Sequence, residues 1–241
     1  MKPIFYFIFS FSCCFIQAQT VTNLVFVGDD GITEDFSKAK AFIIIKKYPD
    51  HFERLDYNKA GPIMKSRSFK DEELKILEGK YCEYLLDGAI VHSGNYFNNK
   101  KDGSWHTYDD YGKIIYTEVY AADSLIDIPD LFKENTATID ANDREADFPG
   151  GQKAWRKYLT KSLESSAAKR KSSVEGEVSI AFKIDTTGAL SDITLVKSVE
   201  YGLDNESIQI IANSPKWTAA RKHGKLVFTD IIQHFTFARP E

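Results

Sequence analysis

Five histidines are the first residues to test for chemistry, because imidazole suits both proton transfer and metal ligation near neutral pH. His51, His92, His106, His223 and His234 share neither the i, i+4 spacing of a helical metal pair nor the HExxH pattern. His92 and His106 fall in neighbouring hairpins of a repeat, where their rings can approach, but a lone strand histidine is more often structural. Asp29, Asp30, Glu34 and Asp35 suggest calcium. Their spacing lacks the alternate-position ligands of a calcium loop, so a solvated acidic loop is expected instead. There is no nucleophile elbow, phosphate-cradling glycine loop or dinucleotide fingerprint. Cys82 is the only cysteine beyond Cys13 and Cys14. Once the N-terminus is removed, neither an intramolecular disulfide nor a cysteine zinc site can form. Lying between Tyr81 and Glu83, Cys82 reads as a small buried apolar residue, with an intermolecular thiol as the alternative. No catalytic, cofactor-binding or metal-binding residue is expected, and the protein reads as non-enzymatic.

The densest chemistry lies in SPKWTAARKHGK, residues 214–225, where Arg221, Lys222, His223 and Lys225 crowd Gly224 behind Pro215 and Trp217. An anion site, a catalytic corner or a fold hinge would each account for it, so the choice rests on the elements around it.

The chain of 241 residues has ordinary globular hydrophobic (43%) and charged (27%) contents, enough for one or two packed domains. MKPIFYFIFSFSCCFIQAQT places Lys2 before an apolar run from Ile4 to Ile16 and a small residue at Ala18, the layout of a secretory signal over residues 1–18. A lipoprotein signal using Cys13 and a retained anchor are the alternatives. Removing Lys2 makes the net charge of −4 one unit more negative, which disfavours nucleic acid as a partner.

One rule recurs three times: an aromatic, a glycine four residues on, an isoleucine two further and an aromatic six further. Its copies are Tyr57-Gly61-Ile63-Phe69, Tyr84-Gly88-Ile90-Tyr96 and Tyr108-Gly112-Ile114-Tyr120, the first being the most degenerate. Self-similarity of this kind outranks other signals. LLDG, DDYG and the stretch from Asn98 to Gly103 are turn chemistry, so the copies read as β-hairpins with aromatics in the strands. They resemble MORN-type repeats, with GSWHTYDDYGKII the clearest copy, and the aromatics read as stacking core. Residues 19–75 form a mixed region in which SKAKAFIIIKKYPDHF fits strand and helix equally. Residues 76–122 hold the clearest hairpins, and 123–145 reads as a linker.

Residues 146–241 differ in composition. Trp155, Tyr158, Leu159 and Leu163 mark a helical face over 147–163. Val178, Ile180, Phe182 and Ile184 alternate with polar residues, DTTG turns the chain, and ALSDITLVKSV returns it. In LDNESIQIIANS, Asp204 reads as an N-cap with Leu203 and Ile208 as a staple, and Pro215 stops the helix. VFTDIIQHFTF is a last strand. The expected class is α+β: a hairpin-repeat region, then a two-layer domain of three antiparallel strands covered by two helices.

The ordered landmarks are FPGG (Pro149, Gly150), Gly176 and Gly188 in GEVSIAFKIDTTGALSDITLVKSV, LDNESI, Pro215 and Trp217 in SPKW, and Gly224 in HGK. Together they resemble the TonB C-terminal domain family over about ninety residues. The resemblance implies a periplasmic domain that pairs, backbone to backbone, with a short N-terminal segment of an outer-membrane transporter. Carried onto this chain, the pairing edge is the last strand, Phe228, Thr229, Asp230, Ile231, Ile232, Gln233, His234 and Phe235, together with the region of FPGGQKAW. The chain departs from the family in lacking its Tyr-Pro, where LESSAAKR stands. Thr218-Ala219-Ala220 replaces the usual lysine-proline-glycine, and no proline-rich linker precedes the domain. The expected partner is a protein, either a transporter of this kind or another envelope protein. Membrane contact comes only through that partner or an uncleaved N-terminus, and a homodimer remains open. An envelope scaffold binding through the repeats is the second reading. On this view SPKWTAARKHGK is a helix stop, an anchoring tryptophan and a solvated loop tip rather than an anion site.

Overall fold

The computed structural model describes residues 20–129, 142–167 and 174–238. The expected signal, with Cys13, Cys14 and the cleavage point at Ala18, lies outside them. Ten antiparallel strands form the first half: β1 (Thr20–Gly28), β2 (Gly31–Thr33), β3 (Ala41–Lys47), β4 (Phe52–Asn58), β5 (Ile63–Phe69), β6 (Leu77–Tyr84), β7 (Ile90–Phe97), β8 (Lys100–Tyr108), β9 (Ile114–Ala121) and β10 (Ser124–Asp127). They lie in one sheet in the order β10-β9-β8-β7-β6-β5-β4-β3-β1-β2. The sheet runs unbroken through the boundary read between residues 75 and 76, because β5 and β6 pair directly across it. It also takes its last strand from the start of the segment read as a linker. The ambiguous stretch at 37–52 contains β3. Its isoleucines meet β1 on one side and β4 on the other, and strand pairing on both sides decides between helix and strand.

All three copies of the aromatic-glycine rule are hairpins of one build. Tyr57 stands across from Ile63, Tyr84 from Ile90 and Tyr108 from Ile114, each with a register shift just before the tyrosine. The most degenerate copy is therefore built like the others, which is consistent with the MORN-type resemblance. Tyr96 covers Gly79, and Tyr120 covers Gly103, across the strand pair. On one face Tyr81, Tyr96, Trp105 and Tyr120 form a ring ladder, and the Lys101 ammonium lies 4.3 Å from the Trp105 centroid and 4.8 Å from that of Tyr120.

The second half follows the expected order. Helix α1 (Gly151–Ala167) leads to β11 (Gly176–Ile184), β12 (Leu190–Lys197), helix α2 (Tyr201–Ala212), a short hairpin β13 (Ala220–Lys222) and β14 (Lys225–Val227), and β15 (Thr229–Phe237). The sheet order is β12-β11-β15. Val178, Ile180, Phe182 and Ile184, with Phe235 and Phe237, are buried among Trp155, Tyr158, Leu159 and Leu163 of α1 and Leu203, Ile210 and Ile211 of α2. The same Asp-x-x-Gly turn serves both halves: Asp109 accepts from the amides of Tyr111 and Lys113, and Asp185 from those of Thr187 and Ala189.

The expected start of α2 changes. The helix begins at Tyr201 behind Glu200, so Asp204 lies inside the first turn and does not cap it. Asp204 is fully buried and accepts from Ser198 Oγ (2.5 Å), the Val199 amide (3.0 Å) and the hydroxyl of Tyr57 (3.0 Å), the tyrosine of the first repeat. The strong donors that reach it come from the β12–α2 loop and the distant sheet, which outcompete local capping. Ser198 extends the link by accepting from the Ile63 amide at 2.9 Å and donating its own amide to the Gly88 carbonyl at 2.9 Å. The repeat signature therefore builds the joint between the halves. Tyr57 bonds Asp204, Tyr84 donates to the Leu195 carbonyl (3.0 Å), Gly88 lies under the Ser198 carbonyl, and Gly112 lies under Val196. Ile44, Leu55, Tyr57 and Ile63 share one core with Leu203 and Ile211.

Gly88 (φ 88°) and Gly103 (φ 69°) both adopt positive φ, but a Cβ on Gly88 would collide with the Ser198 carbonyl and one on Gly103 meets nothing within 4 Å. Gly103→Ala is expected to cost about 1 kcal/mol from backbone conformation alone. Gly88→Ala should cost about 1–3 kcal/mol more from overpacking, measured by denaturant unfolding. Equal costs would show that the joint is not packed as described. Burial raises the Asp204 carboxyl from 3.8 to about 6, with the bonds from Ser198, Val199 and Tyr57 opposing the rise. A folded pKa above the unfolded one means that the native state keeps a proton the unfolded state has released. That contribution is full below pH 4 and is lost as pH rises through about 6. Stability should accordingly fall by about 2 kcal/mol between pH 4 and pH 7 on account of this group. Asp204→Asn should flatten that interval, and an unchanged pH–stability slope in the variant would refute the assignment.

Candidate functional site

β15 pairs with β11 over its whole length, from Thr229 opposite Ile184 to Phe237 opposite Gly176. Its residues alternate strictly. Ile231, Gln233, Phe235 and Phe237 turn towards the helices, where Phe235 and Phe237 are buried and Gln233 accepts from Trp155 Nε1 at 3.0 Å. Asp230, Ile232, His234 and Thr236 are exposed. Phe228, counted with this strand from sequence, precedes it as an exposed joint between β14 and β15. The remaining expected edge residues, Thr229 to Phe235, lie in the strand. The Gln233–Trp155 bond joins the last strand to α1, which starts inside FPGGQKAW.

The other edge of the sheet, β12, is closed by the repeat sheet. Ala89 bridges Lys197, the Ser198 amide meets the Gly88 carbonyl, and the Tyr84 hydroxyl and Lys80 ammonium donate to the carbonyls of Leu195 and Ile193, each at 3.0 Å. Lys80 also bonds Asp192 at 3.2 Å and the hydroxyl of Thr194. Backbone groups that would otherwise template a further strand are thus satisfied along β12. Among the described residues, β15 keeps an unpaired edge.

Electrostatics around this edge centre on Asp192. Burial would raise its carboxyl, yet Lys80 and Lys183 (3.0 Å) hold it below the ordinary carboxylate range. The same hydrogen bond to Asp192 holds the Lys183 ammonium above its usual value. On β15, His234 Nδ1 lies 2.8 Å from Ser179 Oγ and 3.2 Å from Glu177 Oε1.

The family landmarks converge on Trp217. Its ring centroid lies 5.0 Å from Trp155, 5.6 Å from Phe148 and 5.9 Å from Phe182, and its amide donates to the Gly188 carbonyl at 2.8 Å. Gly188 has no room for a Cβ against the Trp217 carbonyl. Gly150 takes a positive φ beside Pro149, Gly176 lies against Val199, and Pro215 follows a helix that ends at Ala212. His223 and Gly224 (φ 48° and 73°) turn the β13–β14 hairpin. The basic cluster there is paired locally: Lys222 with Glu145, and Arg221 with the Gly224 carbonyl at 2.7 Å.

The other chemistry candidates have structural roles. His92 bonds Thr107 and His106 bonds Thr117, at 3.2 and 2.9 Å, so the two rings have separate partners. Cys82 is buried, which pushes its thiol up. Asp29 pairs with Lys40, while Asp35 accepts from the Ser37 amide at 2.9 Å to cap a short 3-10 turn. The joint-forming roles of Asp204, Ser198 and Lys80 were not legible in the sequence, because each acts on a residue more than a hundred positions away.

Neither the curated proteins nor the solved structures contain a significant match to the chain. Residues 166–238, covering both sheet edges, α2, the Trp217 anchor and β15, match the family model of the Gram-negative bacterial TonB protein C-terminal. This segment, which holds the three-stranded sheet and α2, is thus similar to a TonB C-terminal domain, and α1 packs on it from just outside the matched residues.

Proposed function

We propose that this is a periplasmic, non-enzymatic interaction protein that takes an extended segment of a TonB-dependent outer-membrane transporter onto the free edge of β15. The observation that carries this reading is the asymmetry of the small sheet: β12 is closed by the repeat half, whereas β15 has no partner strand on its outer edge among the described residues. Strand addition needs such an edge, with main-chain bonds for affinity and alternate side chains for specificity. Among the described residues no helix is long and apolar enough to cross a membrane. The second reading, a scaffold that binds through the repeats, has less support. The repeat tyrosines and glycines are used on the C-terminal half, and Lys101 lies over the Trp105 and Tyr120 rings.

Hydrogen exchange of the full chain, with and without peptides copying the periplasm-facing N-terminal segments of such transporters, tests this. At saturation those amides between Asp230 and Thr236 that face away from β11 should slow about ten-fold while those of β12 stay unchanged. Protection confined to the repeat hairpins would instead support the scaffold.

A further inference from the structure

The added segment should touch more than β15, because the turn of the third repeat hairpin lies over the same side of the sheet. Gly112 lies against Val196 with no room for a Cβ, which holds the Asp109–Gly112 turn down on β12, and Tyr111 stands 89% exposed. Tyr111 and Gly112 border two clefts. One, of about 680 Å³, is lined by Asp230, Ile232, Tyr108 and Ile114. The other, of about 620 Å³, is lined by Asp110, Glu177, Asp87 and His234. A strand paired to β15 sends every second side chain to the side of Asp230, Ile232 and His234, and so into these clefts.

Resting on the β15 reading, we propose that the third hairpin turn and the exposed face of β15 form one recognition groove for a basic segment. In it, lysine or arginine alternates with an aliphatic residue at successive groove-facing positions. The charge balance points to this chemistry. Asp192 is already held by Lys80 and Lys183, and Asp87 by Lys197. Asp110 and Asp230 make no ion pair among the described residues, and Glu177 is paired only with His234. Asp110 and Glu177 thus border the path of the segment without a lysine or arginine, and Asp230 shares Lys183, its cross-strand neighbour, with Asp192; against them stands one lysine with no ion pair among the described residues, Lys113. Between them Ile232 (43% exposed) and Ile114 (36% exposed) offer an apolar step for the aliphatic residue. On the exposed face of β15, Asp230 and His234, whose ring lies 3.2 Å from Glu177, flank Ile232 at successive positions, which sets the basic–aliphatic–basic order.

Three peptides of about nine residues, sharing the same helix-facing positions, test the groove by fluorescence anisotropy on the full chain. Their groove-facing positions are Lys-Val-Lys, Gln-Val-Gln or Glu-Val-Glu. The lysine peptide should bind about ten-fold more tightly than the glutamate peptide at low ionic strength, and the gap should shrink with salt. Asp230→Lys with Glu177→Lys should invert the order. Tyr111→Ala should weaken the lysine peptide by a few-fold without moving the melting temperature, as its side chain is exposed. Equal affinities, or a preference for glutamate, with β15 amides still protected, would overturn the groove and leave the strand-addition reading intact. Failure of all three peptides to protect β15 would overturn both.

Discussion

A carboxylate removed from water must be surrounded by donors, and Asp204 finds its donors on both halves of the chain. Ser198 and the Val199 amide come from the loop between β12 and α2, and the Tyr57 hydroxyl comes from the repeat sheet. Removing any one of these leaves a buried polar group short of a partner. The joint is thus directional, unlike the apolar contacts around it, and it sets where the ten-stranded sheet rests on the small one.

The edges of the small sheet depend on that placement. With the repeat sheet seated, Gly88, Ala89, Tyr84 and Lys80 reach the backbone of β12, and its capacity to template another strand is consumed. Among the described residues β15 is left as the open edge. The repeat half is in this sense a guard: it closes one edge, leaves the other open among the described residues, and lays its third turn beside the strand that remains.

Much of this was legible locally. Strict alternation marked β11, turn chemistry marked the hairpins, and the spacing of Trp155, Tyr158, Leu159 and Leu163 marked α1, because each is a short-range consequence of side-chain periodicity and backbone sterics. The errors fall where distant contacts overrule local preference. Asp204 has the composition of a cap but is drawn inward by Ser198 and Tyr57. Phe228 extends an apolar-looking strand, yet the β13–β14 hairpin occupies the chain before it and leaves it outside the ladder. The clearest hairpins begin after residue 75, while the sheet itself continues across it through the pairing of β5 with β6.

The sequence by itself determined the two kinds of element, the hairpin period and the landmark order around Trp217, since those rest on turns, propensity and spacing within a few residues. Only the tertiary structure decided that the repeat tyrosines and glycines face the C-terminal half, that β12 is closed and that β15 stays open. These are matters of which distant donor meets which buried acceptor. Tyr57 and Asp204 lie 147 residues apart, and no local pattern encodes that meeting.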